Sequence, residues 1–212
     1  MKYAEMRFSG SGGQGLGLAG LIAAEAAIAE GYEVCQTQSY GPEARGGSSR
    51  TDVIVSRKPI LFPNCRHLDF LLAMNQESCS RYAEKVKEDS IILVDSTFVD
   101  QIPEGRVYEC PLTLKCVEEF GSRIVANVMA LGVLAALSRY FKVASWRNAI
   151  IQRVPERFRD LNLKAFELGH KAGREILHIE EGRVPVAYDR KLPVPDELKR
   201  IRIVKRSRKK GT

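Results

Sequence analysis

The sequence predicts an α/β fold: a single domain over residues 1–180 with a mostly parallel sheet flanked by helices, then a basic C-terminal arm over 181–212. Three observations predict it. Strand-like and helical segments alternate along the chain, the pattern that lays helices onto a parallel sheet. A strand, a glycine-rich turn, a helix and a second strand follow one another between Met6 and Gln38. The composition, 44% hydrophobic and 28% charged over 212 residues, is that of an ordinary globular chain. A chain of this length buries roughly 70% of its unfolded surface and needs no disulfide or metal to fold. Wholesale disorder and a disulfide scaffold are thereby excluded.

Met6–Ser9 is the end of a first strand, and Gly10–Gly15 is a glycine-rich turn. Leu16–Glu30 is helical: Leu18, Leu21, Ile22, Glu25, Ala26 and Ala29 recur at helical spacing, and Ala19, Ala23, Ala24 and Ala27 are small enough for close packing. Gly31 follows as a helix-ending residue. Glu33–Gln38 is a second strand, and the unit implies a parallel pair of strands with a right-handed crossover. Ser39–Ser49 is a polar loop. Thr51–Ser56 alternates like a strand, with Val53 and Val55 on one face, and Asp69–Met74 is a strand leading to Asn75. Gln76–Lys87 reads as an amphipathic helix, Ile91–Asp95 as a buried strand and Arg106–Cys110 as a shorter one. Arg123–Tyr140 is a long helix with Ala and Gly on its packing face. Ser145 is placed to cap a helix over Trp146–Arg153. Asp160 or Asn162 starts the last helix, which runs towards His178.

The longest apolar run, Val125–Leu137, is about 13 residues, short of the ~20 that a membrane span needs. Glu5 and Arg7 interrupt any signal-peptide core at the N-terminus, so a cytoplasmic protein without a membrane partner is expected. The net charge of +7 is concentrated in the arm. Arg183–Thr212 holds 11 Lys/Arg against 3 Asp/Glu, and the rest of the chain 22 against 23. A solvated tail, an arm laid on a partner subunit, and nucleic-acid binding are the three readings of that segment. The last would want aromatic platforms, and the arm offers only Tyr188, so no nucleic-acid partner is expected. Five scattered cysteines without a CxxC spell neither a cluster run nor a zinc knuckle and read as reduced thiols. Cys110 and Cys116, six apart, are the one pair near enough to share a local site. His67, His170 and His178 have no acidic partners at ligand spacing and read as structural or solvated.

Two segments are candidates for binding. The first is Gly10-Ser11-Gly12-Gly13-Gln14-Gly15, a GxGxxG pattern after a strand and opening a helix. Its backbone N–H groups would face a phosphate or another acceptor, with the Gln14 amide at the mouth; the alternative is a turn that only lets helix and strand pack. A dinucleotide reading wants an acid about 20 residues on, at the end of the second strand. Gln36, Thr37, Gln38 and Ser39 stand there instead, and Glu33 comes too early. No Lys-Ser/Thr follows, so it is not a P-loop. The second segment is the loop from Ser39 to Ser49, expected at the ligand-binding edge of the sheet. Tyr40, Glu43, Arg45, Gly46, Gly47 and Ser48 would form its docking or ligand surface. Arg45 is the best anion contact, unless it pairs internally with Glu43. Asn127, polar in an apolar helix, is expected to satisfy a neighbouring loop backbone. No nucleophilic triad, carboxylate pair or metal-ligand cluster stands out, so catalytic residues and metal ligands are not assigned. The chain alone does not look like a complete enzyme.

GSGGQG at 10–15 with Ala19-Gly20, SYGPEARGGSS at 39–49, Asp69–Met74, Ala126–Gly132, and Asn162, Ala165, Phe166 and Gly169 together resemble the gamma subunit of the 2-oxoacid:ferredoxin oxidoreductases. The resemblance covers about residues 5–178. It implies a Rossmann-like domain in an enzyme that oxidatively decarboxylates a 2-oxoacid, transfers the acyl group to coenzyme A and reduces ferredoxin. It also implies thiamine diphosphate and magnesium between alpha and beta subunits, and iron–sulfur clusters on the beta and ferredoxin-like delta subunits. No cofactor would then be bound by this chain alone. The chain would support assembly, and the turn would either line the coenzyme A approach or only pack. Ala44 in the loop resembles 2-oxoglutarate enzymes more than those for pyruvate, branched-chain 2-oxoacids or indolepyruvate. An isolated subunit is expected to self-associate, as a homodimer for instance, through the face it normally buries. The alternative to the whole reading is a stand-alone nucleotide- or dinucleotide-binding module.

Overall fold

The computed structural model describes residues 1–40, 48–180 and 203–204. Its elements are β1 (Tyr3–Ser11), α1 (Leu16–Ile28), β2 (Glu33–Tyr40), β3 (Ser48–Ser56), β4 (Leu68–Ala73), α2 (Gln76–Tyr82), β5 (Val86–Asp95), β6 (Val107–Cys110), α3 (Leu112–Phe120), α4 (Ala126–Ser138), α5 (Val143–Arg153), α6 (Glu156–Glu180) and β7 (Ile203–Val204). They form one seven-stranded sheet in the order β2-β3-β1-β4-β5-β6-β7. β1, β4, β5 and β6 pair in parallel, and β2 runs in their direction; β3 and β7 run against it. The sheet is thus mostly parallel, as expected. One expectation is corrected: β1 and β2 share a direction but are not neighbours, because β3 returns antiparallel between them.

Helices crowd one face. Met6 and Phe8 of β1, Val53 and Val55 of β3 and Leu93 of β5 meet the inner sides of α1, α3, α4, α5 and α6 in one core. Gly132 on α4 and Gly169 on α6 let those two helices touch. A Cβ at Gly132 would collide with the Phe166 carbonyl oxygen, and one at Gly169 with that of Met129. The expected small-residue packing face on α4 is therefore real. Trp146, fully buried, links Phe141 and Phe166 at ring-centroid distances of 5.4 and 6.4 Å. The opposite face carries a smaller cluster under α2, built on Leu71, Tyr82, Ile92 and Val94. Beside it, Arg7 is clamped by Asp52 through two bonds of 2.7 and 2.6 Å, with both residues buried. Burial works against the Arg7 charge, but Asp52 more than offsets it and pushes the guanidinium pKa up.

Several boundaries differ from expectation for identifiable reasons. α1 ends at Ile28 and is closed by Gly31 at φ +76, with Gly31 N donating to Ile28 O and Tyr32 N to Ala27 O. That is the Schellman pattern, and Gly31 plays the expected part. α2 stops at Tyr82, a single 3₁₀ turn follows, and β5 begins at Val86 rather than Ile91. α3 is an element that the sequence pattern does not predict. Its N-cap position is Pro111, which gives no side-chain cap, and the buried Asp95 carboxylate serves instead: it accepts from Thr113 N at 3.2 Å. Ser145 does not cap α5 but lies inside it, its hydroxyl donating to Glu30 at 2.9 Å; Glu30 also accepts from Lys142 N. α6 starts at Glu156, directly after Pro155, and not at Asp160 or Asn162. Proline at a helix start fixes φ and lacks only an N–H that would be unpaired there anyway. Within the arm, only the two residues of β7, paired with β6, are described.

Candidate functional site

The carboxyl ends of β1, β4 and β5 lie along one sheet edge, and the glycine-rich turn sits there. Gly10 and Ser11 are the last residues of β1, Gly12–Gly15 form the turn, and α1 follows. Three side-chain amides staple the turn in place. Gln14 Oε1 accepts from Ser11 N at 2.6 Å, while its Nε2 donates to Met74 O at 3.2 Å. Asn75 Nδ2 donates to Ser11 Oγ at 2.6 Å, and its Oδ1 caps α2 by accepting from Ser78 N at 2.9 Å. Asn127 Nδ2, from α4, donates to Gly15 O at 2.8 Å. Asn127 thus satisfies a loop backbone as expected. Gln14 does not stand at the mouth with a free amide: both ends of that amide are spent on holding β1 to β4.

The glycines divide by cause. A Cβ at Gly10 would strike Gln14 Oε1, and one at Gly15 would lie 2.5 Å from Asn127 Nδ2. Gly13 and Gly15 have φ of +88 and +71, the left-handed region that favours glycine. Gly12 has neither reason. Its φ is not positive, and nothing lies within 4 Å of where its Cβ would be. Gly12, Gly13 and Gly15 are exposed. The stretch from Gly10 to Leu18 carries no ionisable side chain. The edge therefore offers open backbone and the positive end of the α1 dipole rather than a fixed charge.

The strand register brings the second candidate segment to the same edge. Ser49 pairs with both Gly10 and Tyr40, and Ser48 with Ser11, so the ends of β1 and β2 and the start of β3 lie side by side. Tyr40 and Ser48 are strand residues. Glu43, Arg45, Gly46 and Gly47 fall outside the described residues. Within β2, Gln36 Nε2 donates to Gly17 O at 3.4 Å and Gln38 lies against Gly17. Two of the positions where a dinucleotide site would place its ribose-binding acid are thus amides packed on α1.

Sequence reasoning missed the parts played by Asn75 and Asp95. Asn75 had a local signal, an Asn directly before a helix. Asp95, fully buried at the end of β5, binds Thr97 N at 3.1 Å and the Thr113 hydroxyl, and those partners make it a structural anchor. Cys110 and Cys116 are both buried, and burial pushes each thiol up to about 12. Cys116 contacts Met129 Sδ at 3.5 Å. His170 stacks on Phe166 at 6.2 Å, a packing role. Among the described residues, no group of three or more His, Cys, Asp or Glu is arranged to hold a metal. No helix among them is long and apolar enough to cross a membrane.

The family model described as pyruvate ferredoxin/flavodoxin oxidoreductase matches residues 5–172. The 2-oxoglutarate synthase subunit KorC of Methanocaldococcus jannaschii is 41% identical over 177 residues, covering 81% of this chain and 95% of that one. The keto/oxoacid ferredoxin oxidoreductase gamma subunit of Geobacter sulfurreducens superposes with a TM-score of 0.75 at 41% identity, over 82% of this chain and 97% of the other. The 2-oxoglutarate:ferredoxin oxidoreductase of Magnetococcus marinus, solved with 2-oxoglutarate, coenzyme A and succinyl-CoA bound, has a TM-score of 0.70 at 26% identity. The match takes in 82% of this chain but 31% of that longer one.

Proposed function

The chain belongs to the pyruvate ferredoxin/flavodoxin oxidoreductase family, and from that membership we propose that it is the gamma subunit of a multi-subunit, cytoplasmic 2-oxoglutarate:ferredoxin oxidoreductase. The assembled enzyme decarboxylates the 2-oxoacid oxidatively, transfers the acyl group to coenzyme A and hands electrons to ferredoxin. The observation that carries this reading is the 41% identity to a 2-oxoglutarate synthase subunit along 95% of that subunit's length.

In this reading the other subunits, alpha, beta and delta, hold thiamine diphosphate, magnesium and the iron–sulfur clusters. What this chain offers is the open turn. Gly12 and Gly13 present exposed backbone at the start of α1, where a phosphate or amide oxygen of coenzyme A can approach closely. Tyr40 and Ser48 lie at that edge, and the reading assigns Glu43, Arg45, Gly46 and Gly47, between them in the sequence, to the same ligand surface, with Arg45 as its anion contact. The chain's own work is to position this edge and complete the assembly.

The test is co-purification of the tagged chain from its native cells, followed by an assay of 2-oxoacid- and coenzyme A-dependent ferredoxin reduction. The expected result is recovery of thiamine- and cluster-carrying subunits that turn over 2-oxoglutarate faster than pyruvate. Recovery of the chain alone with a bound nucleotide would sink the proposal. Faster turnover of pyruvate would overturn the substrate.

A further inference from the structure

Ser9 and Ser11 lie two apart on β1 and so share one face of the sheet. Ser9, fully buried, spends its proton inside the chain: its hydroxyl donates to Leu72 O at 2.7 Å. Ser11 meets Asn75 instead, and the orientation of that amide follows by elimination. Ser78 N is a backbone N–H that can only donate, so Asn75 Oδ1 must face it, at 2.9 Å. Asn75 Nδ2 is left to face Ser11 Oγ at 2.6 Å, as the donor. Ser11 Oγ is therefore the acceptor on the side of α2, and its own proton turns away from that side. Among the described residues nothing accepts this proton.

The serine stands where such a donor has a use. It is half-buried at the carboxyl end of β1, beside the exposed Gly12. Between Gly10 and Leu18 no side chain is ionisable, and the Gln14 amide is already bonded at both ends. The Ser11 hydroxyl is thus the side-chain donor that the turn still has to offer. A second polar group there is incomplete as well. Asn127 is 2% exposed; its Nδ2 is spent on Gly15 O, and its Oδ1 is buried without a partner. A buried amide oxygen of this kind is ordinarily completed by water or by a ligand.

We infer that Asn75 is a positioning residue: it turns the Ser11 proton away from α2, so that Ser11 donates to an acceptor oxygen of coenzyme A at the open side of the turn. This role rests on the reading above that the edge meets coenzyme A. A hydroxyl held by one accepted bond is oriented before the ligand arrives, which lowers the entropy cost of binding.

The test uses the assembled enzyme with variants of the full chain. Ser11→Ala removes the donor. Asn75→Asp keeps an oxygen to cap α2, since aspartate caps about as well as asparagine, but puts an acceptor in place of Nδ2 and draws the Ser11 proton inward. Each is expected to raise the coenzyme A KM, and the Kd read by calorimetry, about tenfold, with kcat, subunit recovery and melting unchanged. In the double variant, Asn75→Asp is expected to add less than about threefold, because the proton it redirects is gone. Unaltered KM and Kd for Ser11→Ala would overturn the contact. Equal losses from Asn75→Asp with and without the serine would show the new charge acting directly and overturn the positioning role. A lower kcat or poorer assembly at unchanged KM would make both residues structural and overturn the inference as a whole. The unsubstituted enzyme is the separate control: if it binds no coenzyme A, the functional reading itself has failed.

Discussion

Glycine does opposite work in two regions of this molecule. Along the α4–α6 seam, the space a side chain would take at Gly132, Gly169 or Gly173 is filled by the chain itself. Carbonyl oxygens of Phe166 and Met129 occupy the first two places, and Ala136 Cβ lies 2.7 Å from the third. In the turn after β1, Gly10 and Gly15 are of the same kind, blocked by Gln14 and Asn127. Gly12 is not: its backbone is unstrained, and the space beside it stays empty. A glycine filled from within explains packing. A glycine left open at a ligand edge points outside the chain.

Three substitutions sharpen or break that contrast. Gly169→Ala drives a methyl into the Met129 carbonyl and should cost more than ~3 kcal/mol, because two helix backbones must part. Urea denaturation measures it, and a loss under ~1 kcal/mol would show the seam to be compliant. Gly15→Ala combines a left-handed φ with displacement of Asn127 and should cost roughly 2–3 kcal/mol. Gly12→Ala should change stability by less than ~0.5 kcal/mol. In the assembled enzyme it should nevertheless raise the coenzyme A KM or cut turnover by about tenfold, on the order of 1.4 kcal/mol. Wild-type kinetics for Gly12→Ala would remove the turn from the site.

The smallest effect concerns pH. Burial lowers the His170 pKa, Arg174 and Arg147 add to that, and Glu167 opposes it. Just below the ordinary histidine value the unfolded chain therefore binds more protons than the folded one, and stability falls as pH drops through that range. His170→Phe should make the slope of melting temperature against pH shallower there; an identical slope would exclude His170 as its source.

What the sequence made legible was local. Alternation of periods exposed the sheet and most helices, and Gly31 and the small residues of α4 announced their roles. Long-range partners stayed hidden. α3 escaped notice because its cap, Asp95, comes from another element, and Pro111 gives no signal of one. The insertion of β3 between β1 and β2 depends on the antiparallel return of the chain after Tyr40, which helix and strand periods do not encode. Gln14 looked available because Met74, sixty residues away, was not yet beside it.

The Glu30 carboxylate has a history as well as a position. It stands just past the end of α1, where the helix dipole disfavours negative charge, and it accepts from Lys142 N and the Ser145 hydroxyl at the start of α5. Lys142 lies 112 residues further along. At a translation rate of about 5–20 residues per second, the nascent chain carries the acid for roughly 6–22 seconds before its partner is even polymerised. The clasp between the first helix and the fifth closes only late in synthesis, joining the earliest part of the domain to one of the last.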